Sequence, residues 1–275
     1  MIEVIFLIVL AIVWMIFASV QDLRYREVAN WLNFSLIVFA LGFRFFWSLF
    51  SEQGFMFFYQ GLIGFAIFLA LGNLFYYLRL FAGGDAKLMI ALGAVLPFSE
   101  NFYFNLRIFA WFLVIFLFVG AVYGLIWSLV LCLRHFNNFK KEFSKLFDKN
   151  KKFVYWVLVF GLFLMILGFI DFLFFWFGIL VFILPYFYLY AKAVDECCMI
   201  KEVEVGKLVE GDWLYKNLKI GNAVVKAKWD GLNKKEIEIL KKNKKNVLVR
   251  QGIAFVPVFL IAFLIFVYLF FNGFI

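Results

Sequence analysis

The sequence predicts an all-α polytopic membrane protein of about eight transmembrane helices, with a small mixed α/β segment in the cytoplasm. Three observations lead to this fold class: the composition, the lengths of the apolar runs and the placement of basic residues. Of the 275 residues, 66% are hydrophobic and 16% are charged, whereas soluble chains average roughly 45–50% apolar residues. This composition excludes a soluble globular protein, and it also excludes a disordered chain, which would contain few apolar residues.

The lengths of the apolar runs give the number of spans, because a helix needs about 20 apolar residues to cross about 30 Å of hydrocarbon. Five runs each predict one span: 2–20, 31–50, 55–78, 105–133 and 253–271. The first of them has no Lys or Arg before it, so it is predicted to be a permanent span rather than a cleaved signal. The run 153–191 is interrupted by Gly168 and Asp171 and predicts a helical hairpin. A short run at 86–98, which begins after Gly83-Gly84-Asp85, completes the eight.

The basic residues support this arrangement, because cytoplasmic loops collect Lys and Arg. With the amino terminus outside, 25 of the 27 Lys and Arg residues fall in the predicted cytoplasmic segments 21–30, 79–87, 134–152 and 192–252. Arg44 and Arg107 are the two exceptions, and the outer turns carry Glu52 and Glu100. A seven-span alternative with a re-entrant 86–98 would place the basic loop 134–152 outside and is therefore disfavoured.

Three regions follow from this pattern: a transmembrane core at 1–192, a soluble cytoplasmic segment at 193–252 and a final span at 253–275. The basic loop 134–152 has Phe and Leu at helical spacing among its lysines, which predicts an amphipathic helix on the membrane surface. The soluble segment has strand-like alternation at 203–205 and 220–228 with a turn at Gly221 and Asn222. A helix is predicted from the N-cap Asn233 to about Lys242. The charges flank spans, so anionic lipids are the expected partner and nucleic acid is not.

Acidic residues near the ends of the spans are the candidates for chemistry, because charged groups at membrane depth are costly. Asp22 follows the first span, and Asp85 follows Gly83 and Gly84 at the start of the short span. The predicted topology brings Asp22 and Asp85 to the cytoplasmic boundary, whereas Asp171 lies at the opposite face as a turn residue. Two carboxylates at one depth are suited to share a proton and activate water, as in aspartic proteases.

Each aspartate also has a purely structural interpretation. Asp22 alone would be a solvated boundary residue, and Asp85 alone would be the N-cap of the short helix. The glycines before Asp85 argue against capping as the sole role, because a cap does not need two residues without side chains. An extended substrate backbone that approaches a carboxylate does need such residues.

The surroundings of both aspartates resemble the two aspartate motifs of the type IV prepilin peptidases, which are membrane aspartic proteases of the GxGD class. The matching residues are Asp22, Arg24, Arg26, Val28 and Asn30, followed by Ala82-Gly83-Gly84-Asp85-Ala86-Lys87. The tail 250–259, with Gly211 to Leu214 upstream, is similar to the archaeal preflagellin and prepilin peptidases. Three departures are Ala82 in place of the first GxGD glycine, and Ala29 and Ala254 where the family often has proline.

This resemblance implies a cell-membrane endopeptidase that removes the short basic leader of archaellin or pilin-like precursors at the cytoplasmic boundary. It implies that Asp22 and Asp85 are catalytic, and that Gly83, Gly84, Lys87 and Asn30 position the substrate. No cofactor or metal is expected, because His135 is the single histidine and the three cysteines form no CxxC pair. For the same reason, the methyltransferase activity of bacterial relatives is not implied.

Two other functions stay open on the sequence alone. A presenilin-like intramembrane protease shares GxGD chemistry, but its first motif is Tyr-Asp, and Gln21 precedes Asp22 here. A transporter would carry inverted repeats with interrupted helices in both halves, and no second Gly-Gly-Asp occurs in this chain. Archaellin and pilin-like precursors both remain as substrates, and the sequence assigns no oligomeric state.

Overall fold

The fold is that of a computed structural model, which describes residues 1–51, 54–220, 223–228, 231–243 and 246–274. The predicted turn at Gly221 and Asn222, and Glu52 of the first outer turn, lie outside these residues. The described chain is mostly helical and polytopic, which confirms the predicted fold class.

The helices follow the predicted apolar runs. In chain order they are α1 (Ile2–Tyr25), α2 (Asn30–Phe50), α3 (Met56–Tyr77), α4 (Gly83–Val95), α5 (Phe102–Arg134), α6 (Phe136–Leu167), α7 (Phe172–Cys198), α8 (Lys234–Asn243) and α9 (Val256–Phe271). Among the described residues, α1, α2, α3, α5, α6 and α7 are long and apolar enough to cross a membrane. The other two apolar helices are shorter, since α4 has 13 residues and α9 has 16. Helix α4 is thus as short as the sequence predicts.

The chain packs as two compact units, one formed by Met1–Leu125 with Ile253–Ile275 and the other by Ile126–Gly252. The first unit has a continuous apolar core from α1 to α4, the first part of α5, and α9. Helix α4 lies inside this core and approaches α3 very closely. A Cβ atom on Gly64 would collide with the carbonyl oxygen of Gly93, and one on Gly93 would collide with Phe68. Glycine is therefore required where these two helices cross.

The carboxyl end of α4 is held by Arg44 of α2, whose side chain is completely buried. Its Nε donates to the carbonyl oxygen of Ala94 at 2.9 Å, and its Nη2 donates to that of Val95 at 3.0 Å and to that of Pro97. Its Nη1 donates to the carbonyl oxygen of Phe57 at 3.0 Å, and the guanidinium lies 4.3 Å from the Phe57 ring centroid. Arg44, one of the two arginines outside the predicted cytoplasmic segments, therefore anchors the end of α4.

In the second unit, α6 and α7 form the hairpin predicted for 153–191. Helix α6 ends at Leu167, and α7 begins at Phe172. The Asp171 carboxylate accepts a hydrogen bond from the Leu173 N–H at 2.9 Å and caps α7. Its predicted structural role as a turn residue is confirmed.

The basic segment 134–152 is helical, as predicted. The prediction that it forms a separate amphipathic helix on the membrane surface is wrong. Residues 136–152 are the first half of the continuous helix α6. The apolar stripe of this half, including Phe139, Phe143 and Leu146, packs in one cluster with Leu189 and Ala193 of α7. Because α7 covers the stripe, it is not available to insert into lipid. A pattern of lysines and phenylalanines fits a helix that packs on another helix as well as it fits one on a membrane.

The soluble segment has its own small core of buried aliphatic side chains. Its strands are β1 (Ile200–Glu204), β2 (Trp213–Leu214), β3 (Leu218–Ile220), β4 (Ala223–Val225) and β5 (Asn246–Arg250). They form an antiparallel sheet of order β1-β5-β2 and a separate β3-β4 hairpin. The predicted helix is confirmed, since Asn233 and Glu236 exchange side-chain hydrogen bonds at the start of α8. Strand β5 was not predicted, and Val205 lies in a 3-10 turn after β1 instead of in a strand.

Candidate active site

Asp22 lies in the last turn of α1 on the buried face of that helix. Ala18 and Met15 precede it by four and seven residues, so all three side chains point to the core. The Asp22 side chain is only 7% exposed. Arg26 adopts a left-handed conformation with φ 58°, and its N–H donates to the Asp22 carbonyl oxygen. The helix therefore ends directly after the aspartate, which does not have the solvent exposure of an ordinary boundary residue.

Asp85 lies in the first turn of α4. The N-cap of α4 is Ala82, in an extended conformation, and Asp85 is the third helical residue. The structural alternative that Asp85 is the N-cap is therefore wrong. Its carboxylate instead accepts a hydrogen bond from the Ala82 backbone, and the side chain is 9% exposed.

The structure brings the two aspartates together, although 62 residues lie between them in the sequence. The Asp22 carboxylate is close enough to Asp85 for the charge of one to act on the other. Two like charges in a largely buried site resist simultaneous ionisation, so such a pair favours a state that shares one proton. The arrangement has the chemical requirements for one carboxylate to act as a base while the other acts as an acid.

Gly83 and Gly84 are not required by the packing of the chain itself. A Cβ atom on Gly84 would lie 3.8 Å from Cβ of Val28, and one on Gly83 would lie 4.0 Å from the Tyr76 ring, which are ordinary contacts. Neither glycine is among the described residues with a positive φ. These two positions thus differ from Gly64 and Gly93, and the packing of the chain does not explain why glycine precedes Asp85.

Lys87 and Asn30, the remaining predicted site residues, contact each other. The Lys87 Nζ donates to Asn30 Oδ1 at 2.6 Å, which joins the fifth residue of α4 to the first residue of α2. The structure therefore brings together one residue from each of the two aspartate motifs.

Asp22 is also approached by groups that the sequence did not indicate. The backbone N–H of Val256, the first residue of α9, donates to Asp22 Oδ2 at 2.9 Å. Tyr123 of α5 lies within electrostatic range of both Asp22 and Arg26. A backbone contact between residues 234 positions apart leaves no local sequence signal, and Tyr123 stands in an apolar span without any motif around it.

Metal ligands were not predicted, and the described part of the chain contains no group of three or more His, Cys, Asp or Glu side chains that could hold a metal ion. The free cysteines Cys132 and Cys198 are buried, and Cys197 is half-buried. These three cysteines pack with one another in the second unit, whereas both aspartates belong to the first unit.

Comparison with known proteins finds a family match for the segment that contains both aspartates. Residues 9–129 match the type IV leader peptidase family. The resemblance predicted from the two aspartate motifs is confirmed over this segment, which also includes Tyr123. A preflagellin peptidase of Methanocaldococcus jannaschii is 32% identical over 83 residues. The matched family and the matched relative are both described as peptidases.

These matches cover a limited part of each chain. The aligned region is 30% of this chain and 35% of the length of the Methanocaldococcus relative. No solved structure matches. The family match ends before α6, so it does not include Val256, whose N–H binds Asp22.

Proposed function

We propose that this protein is a membrane aspartic endopeptidase that removes the leader of archaellin or type IV pilin-like precursors, with Asp22 and Asp85 as its catalytic residues. The observation that carries the proposal is the convergence of the two aspartates, each from a motif within the leader-peptidase match, in one largely buried site. A transporter has no need for two acids whose charges act on each other beside a Gly-Gly pair.

The proposed mechanism uses water and the two carboxylates. The ionised carboxylate takes a proton from water as the oxygen attacks the scissile carbonyl carbon, and the protonated carboxyl donates a hydrogen bond to the carbonyl oxygen. The C–N bond then breaks as the amine nitrogen receives a proton from the acid pair. The products are a leader with a new carboxylate and a mature chain with a new amino terminus.

The glycines and the Lys87–Asn30 contact are proposed to position the substrate. Gly83 and Gly84, where the chain's own packing would accept a Cβ atom, are proposed to let an extended substrate backbone approach Asp85. Lys87 is the fifth residue of α4, near the amino end that carries Asp85, and its hydrogen-bond acceptor is the neutral amide of Asn30. An ammonium group has three donors, so Lys87 can bind a carbonyl oxygen of the substrate while it keeps the bond to Asn30.

The site is proposed to face the cytoplasm, with the amino terminus outside, because of the distribution of Lys and Arg. We expect single cysteines at the exposed positions 149 and 241 to react only with cytoplasmic reagent, and one at position 103 only with external reagent. The measurement is labelling of intact and opened cells with a membrane-impermeant maleimide. The parent would have Cys132, Cys197 and Cys198 replaced by alanine, and this unlabelled parent is the control. External labelling at position 149 would contradict the orientation.

The function itself is tested by co-expression with an archaellin or pilin-like precursor. We expect the precursor to lose its leader, and mass spectrometry to place the cut between the basic leader and the hydrophobic helix. Cleavage is expected to survive chelators and reagents directed at serine or cysteine. An uncut precursor would refute the proposal, and a cut inside the hydrophobic helix would favour the presenilin-like alternative. Activity lost in chelator and restored by metal would indicate metal-bound water instead.

A further inference from the structure

The start of α9 contacts both segments that carry an aspartate. On one side, the Val256 N–H donates to Asp22 Oδ2, and the Phe255 backbone also hydrogen bonds to this carboxylate. On the other side, the Phe255 ring lies 6.2 Å from the ring of Phe81, which directly precedes the Ala82-Gly83-Gly84-Asp85 turn. Phe81 also packs on Phe259, one turn further along α9, with ring centroids 6.0 Å apart.

The contact with Asp22 follows from the chemistry of a helix terminus. The first N–H groups of a helix have no partner within the helix, and Val256 is 1% exposed, so its N–H is removed from water. A carboxylate oxygen is the acceptor that a helix amino terminus favours. Asp22 supplies it from α1, which explains why the apolar start of α9 tolerates a buried charged group.

The same bond fixes the orientation of Asp22. The terminal torsion of an aspartate is broad, so a carboxylate without a partner samples many orientations. With Oδ2 held by the Val256 N–H, the plane of the carboxylate is set relative to its neighbours. The groups facing it are Asp85 from α4, Arg26 from its own helix end and Tyr123 from α5. Asp85 is held differently, by the Ala82 backbone within its own turn.

We propose that the backbone amide of Val256 is a positioning group for catalysis, which holds Asp22 in the orientation that activates water against Asp85. This inference rests on the proposed function, because it assigns the amide a part in the cleavage by the aspartate pair. The amide does not contact the reacting atoms and acts through Asp22. Phe255, the residue before Val256, packs on Phe81 and so links the segment that carries Asp85 to the residues that bind Asp22.

The test removes one hydrogen-bond donor and leaves every side chain in place. The full-length chain is synthesised in a cell-free system with liposomes, and α-hydroxyvaline replaces Val256, so that an ester oxygen stands where the N–H was. The matched control has α-hydroxyvaline at Val258. That N–H donates to the Phe255 carbonyl oxygen at 3.0 Å in the same turn of α9 and is not bonded to Asp22. Both valines are buried.

We expect the ester at position 256 to lower kcat about 10- to 100-fold with KM within about twofold, since small misplacements of a catalytic group have effects of this size. The ester at position 258 should keep kcat within about threefold.

Two outcomes would contradict the positioning role, and a third would contradict the proposed function. An unchanged kcat in the protein with the ester at position 256 overturns the positioning role. Equal losses of kcat and thermal stability in both esters assign the bond to helix stability and also overturn it. An unsubstituted chain that fails to cleave any precursor refutes the proposed function instead, so the two failures are distinguishable.

Discussion

Asp22→Asn and Asp85→Asn are each expected to abolish cleavage while the protein stays inserted and folded. The amide keeps the size of the carboxylate and its carbonyl oxygen still accepts the hydrogen bond from Val256 or Ala82. It cannot take up or release the shared proton, so precursor binding persists while water is not activated. The measurement is the fraction of co-expressed precursor that loses its leader, at matched levels of the membrane-inserted protease.

The control for this pair is Asp171→Asn. Asp171 caps α7 through the Leu173 N–H, and asparagine caps a helix about as well as aspartate, so cleavage should be unchanged. The double variant should be no worse than either single variant, because losses within one catalytic unit are strongly non-additive. A purely structural role would behave differently, since a lost cap costs about 1 kcal/mol of stability and leaves the chemistry intact. Substantial cleavage by both single variants would refute the aspartic mechanism.

Sequence patterns predicted the parts of this fold that depend on neighbouring residues. The hairpin at Gly168 to Asp171 follows from a break in one apolar run, and the start of α8 follows from the spacing of Asn233 and Glu236. The aspartate pair also followed from the sequence, because the charge pattern put both residues at one membrane face. The proximity of Asp22 and Asp85 agrees with that expectation, and their catalytic roles stay a prediction.

The contacts that the sequence did not indicate join distant residues through the backbone. The Val256 N–H that binds Asp22 is a backbone group, which every residue except proline has, so no residue type marks it in the sequence. The same holds for the backbone carbonyl groups that bind Arg44. The apolar stripe of 136–152 was misassigned for a related reason. Its periodicity identifies a helical face, but only the packing against Leu189 and Ala193 shows what that face contacts.

Arg44→Met is expected to cause the largest loss of stability of any substitution considered. The change leaves a set of buried carbonyl oxygens without a donor, including those of Ala94 and Val95 at the end of α4 and that of Phe57. An unsatisfied buried polar group costs about 1–3 kcal/mol, so the free energy of unfolding should fall by about 3 kcal/mol or more. Thermal unfolding of the purified protein in detergent, together with its level in the membrane, measures this loss.

Arg107→Met is the matched control, because it changes the other arginine outside the basic segments and that side chain is exposed. Its effect should stay within about 0.5 kcal/mol, as for ordinary surface substitutions. Arg44→Lys should fall between the two, since an ammonium group lacks the planar fork that reaches several carbonyl oxygens at once. Helix α4 carries Asp85 at one end and is anchored by Arg44 at the other, so any folded Arg44→Met protein should also cleave precursor poorly. An Arg44→Met protein that is as stable and active as the parent would show that α4 is held by apolar packing alone.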